Sequence, residues 1–451
     1  MVSKDKLIEI AHRVLEEAKK QGAEHSQVRI FDNFSIGTRF GENHITQNVT
    51  TKTQSFELKT QIGQKIGVYN GSRIGENLAS QVNDAITLTK LSIDDPEFPG
   101  FLNTQPNYQP MGSGYKEIDP TELSEVVGDI VDAATKVDSR IKSVAGNLHY
   151  LTGNTLLLNS YDVLAYNSSS KISGVITVAA DEDGESRSTK NIAGNTISDL
   201  ESVKMAELTA RTAIQGLHQK EIEAGKYEVI LGPEAVAQLL LFVSFGASSE
   251  GLINHTSYLK DRLGEQIMDE RITIIDDCLN EAHFASRNFD SEGVACETLK
   301  FVEKGVLKDY AYNLRNAKKL GVKSNGRNAS GFQGEMPAFF SLTIEKGEKS
   351  AEELVKSVDN GVLVTNLFYN NFVNAPEGLC TGLTKDGLFK VENGEVTDSL
   401  KNMRWTDKIL SILGNAEPGS DSRQVKGFFF GSAIIPSIKV EQFNFSSKGK
   451  H

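Results

Sequence analysis

The chain has 451 residues, about three times the length of a typical ~150-residue domain, so its length predicts two or three compact units. Hydrophobic residues make up 39% of the sequence and charged residues 24%, which provides for packed cores and excludes a disordered chain. The 48 Lys and Arg against 60 Asp and Glu give a net charge of −12. Because no Lys/Arg cluster is large enough to reverse this field, we expect no direct contact with nucleic acid.

Three cysteines, Cys278, Cys296 and Cys380, make an odd count without a C-x-x-C pair. This count indicates reduced thiols in a cytoplasmic protein rather than a disulfide framework. The amino-terminal stretch is charged and amphipathic, so it is not expected to act as a signal peptide. The most apolar segment, residues 235–247, is shorter than the ~20 residues that cross a bilayer. We therefore expect no membrane contact and a cytoplasmic location.

The first part of the chain is predicted to contain two helices around a meander of strands. Apolar residues recur at helical spacing over residues 4–20, and Gln21-Gly22 ends this helix. Mostly antiparallel strands are predicted at 28–31, 35–40, 45–58 and 65–69, with turns at 41–43, 62–63 and 70–71. A second helix is predicted over 76–90. Residues 94–114, rich in Pro, Gly and Asn, are predicted to form a long surface connection.

A further helix starts at Asp119-Pro120-Thr121-Glu122, where a capping side chain precedes proline and an acid. Strands are predicted at 143–150, 155–158, 164–167 and 171–180, followed by a long helix at about 200–219. The polar, glycine-containing residues 221–225 give the best domain boundary. We predict an N-terminal α+β domain over 1–222, with a possible subdivision near 95–118, and a strand-rich C-terminal domain over 223–451.

The second half is predicted to be rich in strands. A strand at 227–231 leads into a helix that opens at Gly232-Pro233 and runs to about Phe245. Further strands are predicted at 271–275, 299–302, 338–344, 361–366, 387–391 and 437–445. One helix begins at the capping box of Ser350 and Glu353 and ends at Gly361. Because helices and strands mix without strict βαβ alternation, the pattern indicates an α+β fold.

Common catalytic signatures, including G-x-S-x-G, the P-loop and H-E-x-x-H, are absent from the sequence. The nearest approach to a metal-ligand pair is Cys278 with His283, which we interpret as a strand exit with a buried cysteine. Cys380 lies in a glycine-rich stretch that predicts a turn and an exposed thiol, without a base nearby in sequence. Residues 324–329 are interpreted as a solvated loop, with a loop that lines a cleft as the alternative.

Several segments form a recognisable series when they are taken in chain order. They are Gln21-Gly22-Ala23-Glu24, residues 63–75, Asn159-Ser160-Tyr161, residues 224–233, Leu263-Gly264-Glu265-Gln266, residues 272–277 and residues 391–396. This series resembles the TldD/PmbA family over nearly the whole chain, and the order and spacing of the segments carry the resemblance. It implies a two-domain TldD/PmbA-like architecture, with an α/β layered N-terminal domain and a strand-rich C-terminal domain.

The resemblance also implies a metal chemistry, because the family is known for predicted zinc metallopeptidases that act as two-subunit complexes. A TldD-like subunit carries H-E-x-x-x-H on the helix after the Gly-Pro junction, whereas a PmbA (TldE)-like subunit lacks it. Alignment of this helix places Phe242 and Ala247 at the histidine positions and Val243 at the glutamate position. These side chains offer neither a metal ligand nor a transferable proton, so no catalytic residue is expected here.

Two further features bear on the same expected zinc site. Residues five apart on an ideal helix lie about 140° from each other, so ligands at that spacing need a local break, which we expect at Gly246. The family's late metal-binding cysteine is also not evident, because residues 421–431 contain no cysteine. The backbone of the zinc helix is therefore expected to be retained without its zinc site.

The resemblance thus implies a PmbA-like subunit that holds a peptide or unfolded protein segment in a cleft of its C-terminal half. It implies no metal in this chain, zinc in a TldD-like metallopeptidase partner, or else pairing of the chain with itself as a homodimer. The candidate groove residues are Glu250, Asn254, His255, Asn325 and Arg327. One alternative is a homodimeric peptide- or protein-binding scaffold of the gyrase-modulator type. The other is a hydrolase that works alone through Cys380 or an unrecognised metal site.

Overall fold

The structure is a computed structural model that describes residues 1–74, 77–112, 114, 116–331, 334–427 and 431–449. Its first half is built around one antiparallel sheet of six strands. The strands are β1 (His25–Gly41), β2 (His44–Ile62), β3 (Lys65–Ser72), β4 (Ile141–Asn159), β5 (Leu164–Asp181) and β6 (Glu185–Gly194). They lie in the order β3-β2-β1-β4-β5-β6, so the first and fourth strands form the centre of the sheet.

The helices of the first half cover one face of this sheet. They are α1 (Lys4–Lys20), α2 (Leu78–Leu91), α3 (Pro120–Thr135) and α4 (Ser202–Gln215). Because side chains alternate along a strand, Val28, Ile30 and Phe34 of β1 point to the same face and pack against these helices. The predicted start of α3 is confirmed, since Asp119 and Glu122 form a capping box there.

The second half consists of a larger sheet, a separate pair of strands at residues 328–337 and short helices. Its strands are β7 (Gly225–Leu231), β8 (Ile274–Asp276), β9 (Leu299–Glu303), β10 (Val306–Leu307), β11 (Asn328–Gly331), β12 (Gly334–Pro337), β13 (Ser341–Ile344), β14 (Asn360–Asn374), β15 (Leu379–Glu392), β16 (Glu395–Ser399), β17 (Met403–Lys408), β18 (Ala416–Lys426) and β19 (Ser432–Lys448). Its helices are α5 (Pro233–Gly246), α6 (Ser249–Ile253), α7 (Leu314–Leu320), α8 (Ala351–Lys356) and α9 (Ile409–Leu413). Strand β7 pairs with both β14 and β19, which closes a ring of pairings through β15 and β17.

Helix α5 follows β7 directly and is apolar on nearly every side. Gly232 precedes it and Pro233 occupies its first turn, where the missing N–H of proline has no effect on hydrogen bonding. Leu239, Leu240 and Val243 are at most 1% exposed. A helix that is apolar all round must be buried, and α5 packs against β14, β18 and β19 in the core of the second half.

The two halves meet across the second face of the six-stranded sheet. Residues of β1 and β5 that alternate with the helix-facing ones point there. Gln27 Nε2 donates to the Ser291 carbonyl at 3.3 Å, and Lys171 Nζ donates to the His283 carbonyl at 2.9 Å. Lys190 of β6 lies 3.5 Å from Glu234 of α5, which also pairs with Arg423. The interface is therefore largely polar and ionic.

The mixture of helices and antiparallel sheets confirms the predicted α+β class. The division at residues 222 and 223, with its possible subdivision near 95–118, stays a prediction. Parts of the predictions that fall on residues 75–76, 113, 115, 428–430 and 450–451 lie outside the described residues. In the part of the chain that the structure describes, no helix is both long and apolar enough to cross a membrane.

Several predicted strands were too short. Strands β4 and β5 were each predicted as two pieces, because polar residues interrupt their apolar pattern. Thr152 and Ser170 are buried in the middle of these strands and hydrogen-bond to each other at 2.8 Å, so a satisfied polar pair takes the place of apolar packing. The predicted turn at 70–71 lies within β3, and the helix predicted to reach Gly361 ends at Lys356.

Candidate functional site

By the family resemblance, the zinc ligands of a TldD-like chain are expected at the end of α5. Phe242, Val243 and Ala247 are at most 3% exposed. The Phe242 ring packs edge-on against Phe372 of β14, with 4.8 Å between centroids and an angle of 89°. The Tyr258 hydroxyl donates to the Phe242 carbonyl at 3.0 Å, and its ring lies 6.4 Å from that of Phe372. We call Phe242, Tyr258 and Phe372 the aromatic seal.

Gly246 makes room for the seal. A Cβ atom at this position would lie 2.6 Å from the Tyr258 ring, which is closer than real Cβ atoms approach. Helix α5 ends at Gly246 and α6 begins at Ser249, so the helix breaks where the sequence predicted. The Ser257 hydroxyl donates to the Gly246 carbonyl at 2.5 Å and satisfies one of the groups that the break exposes. The predicted helix break is therefore present, and it accommodates the ring of Tyr258.

The side chains at the three aligned positions are hydrocarbon, and these residues do not fit zinc. Zinc needs nitrogen, sulfur or oxygen ligands at about 2.0–2.3 Å, and the side chains of Phe242, Val243 and Ala247 have none. Elsewhere in the described ranges, no group of three or more His, Cys, Asp or Glu side chains is placed to hold a metal ion. Burial raises the pKa of Tyr258 well above its usual value, so this hydroxyl stays neutral.

An open groove lies on the other side of the segment that follows α6. It has a volume of about 430 Å³ and is lined mainly by apolar and aromatic side chains. The lining residues are Leu252, Ile253, His255, Lys260, Asp261, Leu263, Tyr310, Tyr312, Leu320 and Val322. We call this cavity the tyrosine groove. Its walls are partly exposed, with Leu263 at 55% and Val322 at 44%.

Of the five predicted groove residues, Glu250 lines a separate cavity between the halves, and His255 is the one among the lining residues of the tyrosine groove. His255 lines it, and Lys260 Nζ donates to His255 Nδ1 at 2.5 Å on its rim. Glu250 accepts from Asn254 at 2.8 Å and from Asn316 of α7 at 3.0 Å, which ties α6 to the helix that leads to Leu320.

Asn325 supports the opposite wall of the groove. Its Oδ1 accepts from the Tyr312 backbone N–H at 3.0 Å, and its Nδ2 donates to the Tyr310 carbonyl at 2.8 Å. The side chain therefore fixes the backbone that carries both tyrosines. Burial raises the pKa of Tyr310, and it raises that of Tyr312 to about 12, so both groove tyrosines are neutral hydrogen-bonding groups at physiological pH.

Comparison with known proteins identifies the fold and the family. The family model of the PmbA/TldA metallopeptidase central domain matches residues 114–217, and that of the C-terminal domain matches residues 224–447. The chain belongs to the PmbA/TldD family. The metalloprotease PmbA of Escherichia coli O157:H7 is 26% identical to it over 466 residues, which cover 96% of this chain and 97% of that protein.

Two solved structures share the fold of this chain. TldE from Thermococcus kodakarensis superposes with a TM-score of 0.89 at 20% identity, over 96% of this chain and 99% of that chain. A Thermotoga maritima protein, named for a suspected role as a modulator of a DNA gyrase, gives a TM-score of 0.85 at 23% identity. The match covers 97% of this chain and 99% of that one. The chain thus shares this fold with both proteins at low sequence identity.

Arg327 does not line a groove, contrary to the prediction. The side chain is fully buried, and its Nε lies 2.5 Å from Oδ2 of the equally buried Asp276. Its Nη1 donates to the Asn325 carbonyl at 2.5 Å. Although burial raises the pKa of Asp276, Arg327 and Arg287 hold it below its ordinary value. Residues 321–323 are exposed, but the Arg327 guanidinium is held by long-range contacts that the local sequence does not show.

Cys380 is also placed differently from the prediction. It lies within β15 and is fully buried, because the glycines around it belong to a strand and not to a turn. Burial raises the pKa of its thiol to about 12, the opposite of an activated nucleophile. Cys278 is buried, as predicted for a strand exit. His283 is buried as well, with Nδ1 3.1 Å from the Ser432 hydroxyl and Nε2 2.8 Å from that of Thr343.

The sequence did not predict the two tyrosines that line the groove, Tyr310 and Tyr312. Tyr310 and Tyr312 flank a small residue, and this alternation could have indicated a strand-like segment with both rings on one side. The sequence also did not predict Glu292, which lines a second cavity of about 370 Å³ between the halves, beside Glu250 and Lys59. Burial and the neighbouring Asp290 raise the pKa of Glu292 to about 8, so it is mostly protonated near neutral pH.

Proposed function

We propose that this chain is a PmbA/TldE-like subunit of a zinc metallopeptidase involved in proteolysis or peptide processing. It contributes substrate binding and assembly, and a TldD-like partner contributes the metal. The observation that carries the proposal is the aromatic seal, because Phe242 and Val243 place hydrocarbon where a TldD-like chain has its ligands and its carboxylate. Family membership supports the metallopeptidase context, and the relative PmbA is itself named a metalloprotease.

The tyrosine groove is the proposed binding site for an extended peptide or an unfolded segment. Its apolar floor, formed by Leu252, Tyr310 and Tyr312, suits an apolar side chain of the peptide. Lys260 and Asp261 on the rim offer one charge of each sign to the peptide backbone or its flanking side chains. A groove of about 430 Å³ accommodates one or two side chains, which fits selection of a short sequence rather than of a folded protein.

Strand β14 supports the proposal of a partner subunit. Strand β7 pairs with Gly361–Val364, so within the described residues the far end of β14 has β15 as its strand neighbour and a free second edge. Phe368, Tyr369 and Val373 are 50%, 71% and 57% exposed at this end. A free strand edge with exposed apolar side chains is a typical protein-association surface, and a TldD-like chain is the proposed occupant because it shares this fold.

Mixing experiments test the proposal. The purified chain, a TldD-like homologue from the same genome with an intact H-E-x-x-x-H, and their mixture are assayed against a library of unstructured peptides. We expect the two chains to co-elute and the mixture to cleave, whereas this chain alone neither cleaves nor holds stoichiometric zinc. Cleavage by the isolated chain would overturn the proposal. A stable homodimer that binds peptide and ignores the homologue would favour the scaffold alternative.

A matched pair of variants locates the binding site. Val322→Asp places a charge in the tyrosine groove, where Val322 is 44% exposed, and Val203→Asp makes the same change on α4, where Val203 is 43% exposed. We expect Val322→Asp to raise the KM of the mixture at least tenfold with little change in kcat, because the groove is proposed to contribute binding and no chemistry. Equal kinetics of the two variants would exclude the groove as the binding site.

A further inference from the structure

A third cavity, of about 390 Å³, opens between the two halves of the chain. Strands β1 and β4 contribute Arg29, Phe31 and Thr155 to its wall, and the latter two lie opposite each other in the sheet. The second half completes the lining with Ala285, Arg287, Phe289, Asp290, Ser291, Asn328, Ala329 and Phe340. We call this cavity the arginine pocket. Among the described residues, it shares no lining residue with the tyrosine groove.

Arg287 carries a charge that its neighbours balance only in part. Its Nη2 lies 3.9 Å from Oδ2 of Asp276, which is beyond hydrogen-bonding distance. That oxygen already lies 2.5 Å from Arg327 Nε, and the other oxygen accepts from the backbone N–H groups of Phe340 and Ser341 at 3.2 and 2.7 Å. In the part of the chain that the structure describes, the Arg287 guanidinium donates no hydrogen bond. Two guanidiniums therefore share one carboxylate.

The other charged residues that line the arginine pocket, Arg29 and Asp290, already have close partners. Arg29 forms a bidentate pair with Glu57, from Nε at 3.1 Å and from Nη2 at 2.7 Å. The Asp290 carboxylate accepts from three backbone N–H groups at 2.9, 3.0 and 3.1 Å. Asp290 acts on the charge of Arg287 through space, but its oxygens are occupied by these backbone donors. Arg287 is therefore the cation of this pocket that a ligand can pair with.

Aromatic rings form much of the remaining surface of the pocket. The Arg287 guanidinium lies over the Phe340 ring, 5.3 Å from its centroid, and a guanidinium stacked in this way keeps its edge for hydrogen bonds. Phe31 and Phe289 line the same cavity. The Arg287 side chain is 19% exposed, so solvent reaches it. A largely apolar cavity with one accessible guanidinium has the composition of a site for a small organic anion.

We propose that the arginine pocket binds a small apolar carboxylate, either a free acid or the C-terminal carboxylate of a peptide that ends in an apolar residue. The carboxylate pairs with the Arg287 guanidinium, whose planar fork matches two carboxylate oxygens. The apolar part of the ligand packs against Phe31, Phe289 and Phe340. The volume of the pocket lies within the range of about 300–1,000 Å³ that is typical of small-ligand sites. This site is separate from the tyrosine groove and does not depend on a partner subunit.

A ligand in the arginine pocket contacts both halves of the chain. Phe31 and Thr155 belong to the first half, whereas Arg287 and Phe289 belong to the second. A bound ligand therefore adds contacts across the interface between the halves. Because a ligand that binds only the folded chain stabilises it by mass action, we expect the Tm to rise with the concentration of the carboxylate.

Isothermal titration calorimetry of the isolated full-length chain tests the proposal with matched acids and amides. The probes are 3-phenylpropionate, a tripeptide that ends in phenylalanine with a free carboxylate, and the corresponding amide of each. We expect the acids to bind more tightly than their amides by about tenfold or more, because the amides lack the charge. Binding of the tripeptide acid identifies a peptide C-terminus as the ligand, whereas binding of 3-phenylpropionate alone identifies a free acid. Equal affinities of acids and amides, or binding of neither acid, would overturn the proposal.

Two variants assign the binding to this pocket. Arg287→Met removes the charge and should weaken the binding of the acids by about tenfold or more, whereas Arg262→Met, at a partly exposed ion pair, should leave it unchanged. Thr155→Phe fills the cavity from the wall of the sheet and should also prevent binding. Because Thr155→Phe leaves Arg287 in place, it tests the site even if Arg287→Met fails to fold. Unchanged affinity in either folded variant would contradict the assignment.

Discussion

The end of α5 and the tyrosine groove lie on opposite sides of one short segment, and their chemistry differs. Tyr258 points to the aromatic seal, where Phe242 and Phe372 exclude solvent. Lys260, two residues later, points to the groove beside His255. The position at which the family places its chemistry is thus closed here, and the open, polar-rimmed surface lies next to it. The comparison shows that the helix break is present while the side chains at the end of α5 are hydrocarbon.

The largest expected effect comes from opening the seal. Phe242→Ala removes a buried ring and should lower the free energy of unfolding by about 3–5 kcal/mol, because the packed surroundings cannot fill the cavity. Phe368→Ala removes the same ring from a position that is 50% exposed and should change the free energy of unfolding by less than about 1 kcal/mol. Urea denaturation measures both. Similar values would mean that the aromatic seal is not a packed core.

Arg327 gives a second test, since it was predicted to line a groove and is instead buried against Asp276. Arg327→Met leaves the Asp276 carboxylate without its closest cation and should lower the free energy of unfolding by about 3–5 kcal/mol. Arg262→Met breaks the partly exposed ion pair with Glu265, which should lower the free energy of unfolding by no more than about 1 kcal/mol. A stable Arg327→Met variant with weakened peptide binding would indicate that Arg327 contributes to the groove, as the sequence predicted.

The fold was predictable where local pattern and structure agree. The helical spacing of residues 4–20, the capping box at Asp119 and the Gly-Pro start of α5 each specify their element from neighbouring residues alone. Strands β4 and β5 were split because Thr152 and Ser170 satisfy each other across the sheet, and a single strand cannot show such a contact. Strands β17 and β18 were missed, although β17 carries the fully buried Trp405.

The candidate site likewise contains some residues that the sequence predicted and others that it did not. His255 follows a helix end and lines the tyrosine groove, whereas Asn254 contacts Glu250 on the same short helix and is not among the lining residues. Tyr310 and Tyr312 come to the groove from more than 50 residues away, so their role depends on the tertiary fold. The burial of Arg327 depends on Asp276, which is equally distant in sequence. Residues that act through long-range contacts are those that the sequence alone did not assign.

Substitution of Asn325 tests whether its hydrogen bonds stabilise the wall of the tyrosine groove. Asn325→Ala leaves the Tyr312 N–H and the Tyr310 carbonyl without their partner, which should lower the free energy of unfolding by about 1–3 kcal/mol and raise the KM of the mixed subunits. Asn254→Ala removes an exposed amide on the other rim and should change the stability by less than about 0.5 kcal/mol. If both variants behave alike, the wall does not depend on Asn325.

The smallest expected effect concerns Glu292, in the cavity between the halves beside Glu250. Its pKa is raised from 4.5 to about 8, so the folded state binds the proton more tightly than the unfolded state. The resulting stability is fully present below pH 4.5 and is lost as the pH rises towards about 8. Glu292→Gln removes this dependence and keeps an acceptor for the Leu314 N–H, which Glu292 binds at 2.8 Å.

The free energy of unfolding of Glu292→Gln, relative to the unmodified chain, should therefore rise by about 1 kcal/mol between roughly pH 5 and pH 8. Partial exposure of Glu292 keeps this change well below the limit of about 1.4 kcal/mol per pH unit. Urea denaturation at several pH values measures it, with Glu270→Gln at an exposed position as the control. A relative stability that falls with pH would show that Glu292 is ionised in the folded state, and that Lys59 and Arg315 around this cavity outweigh its burial.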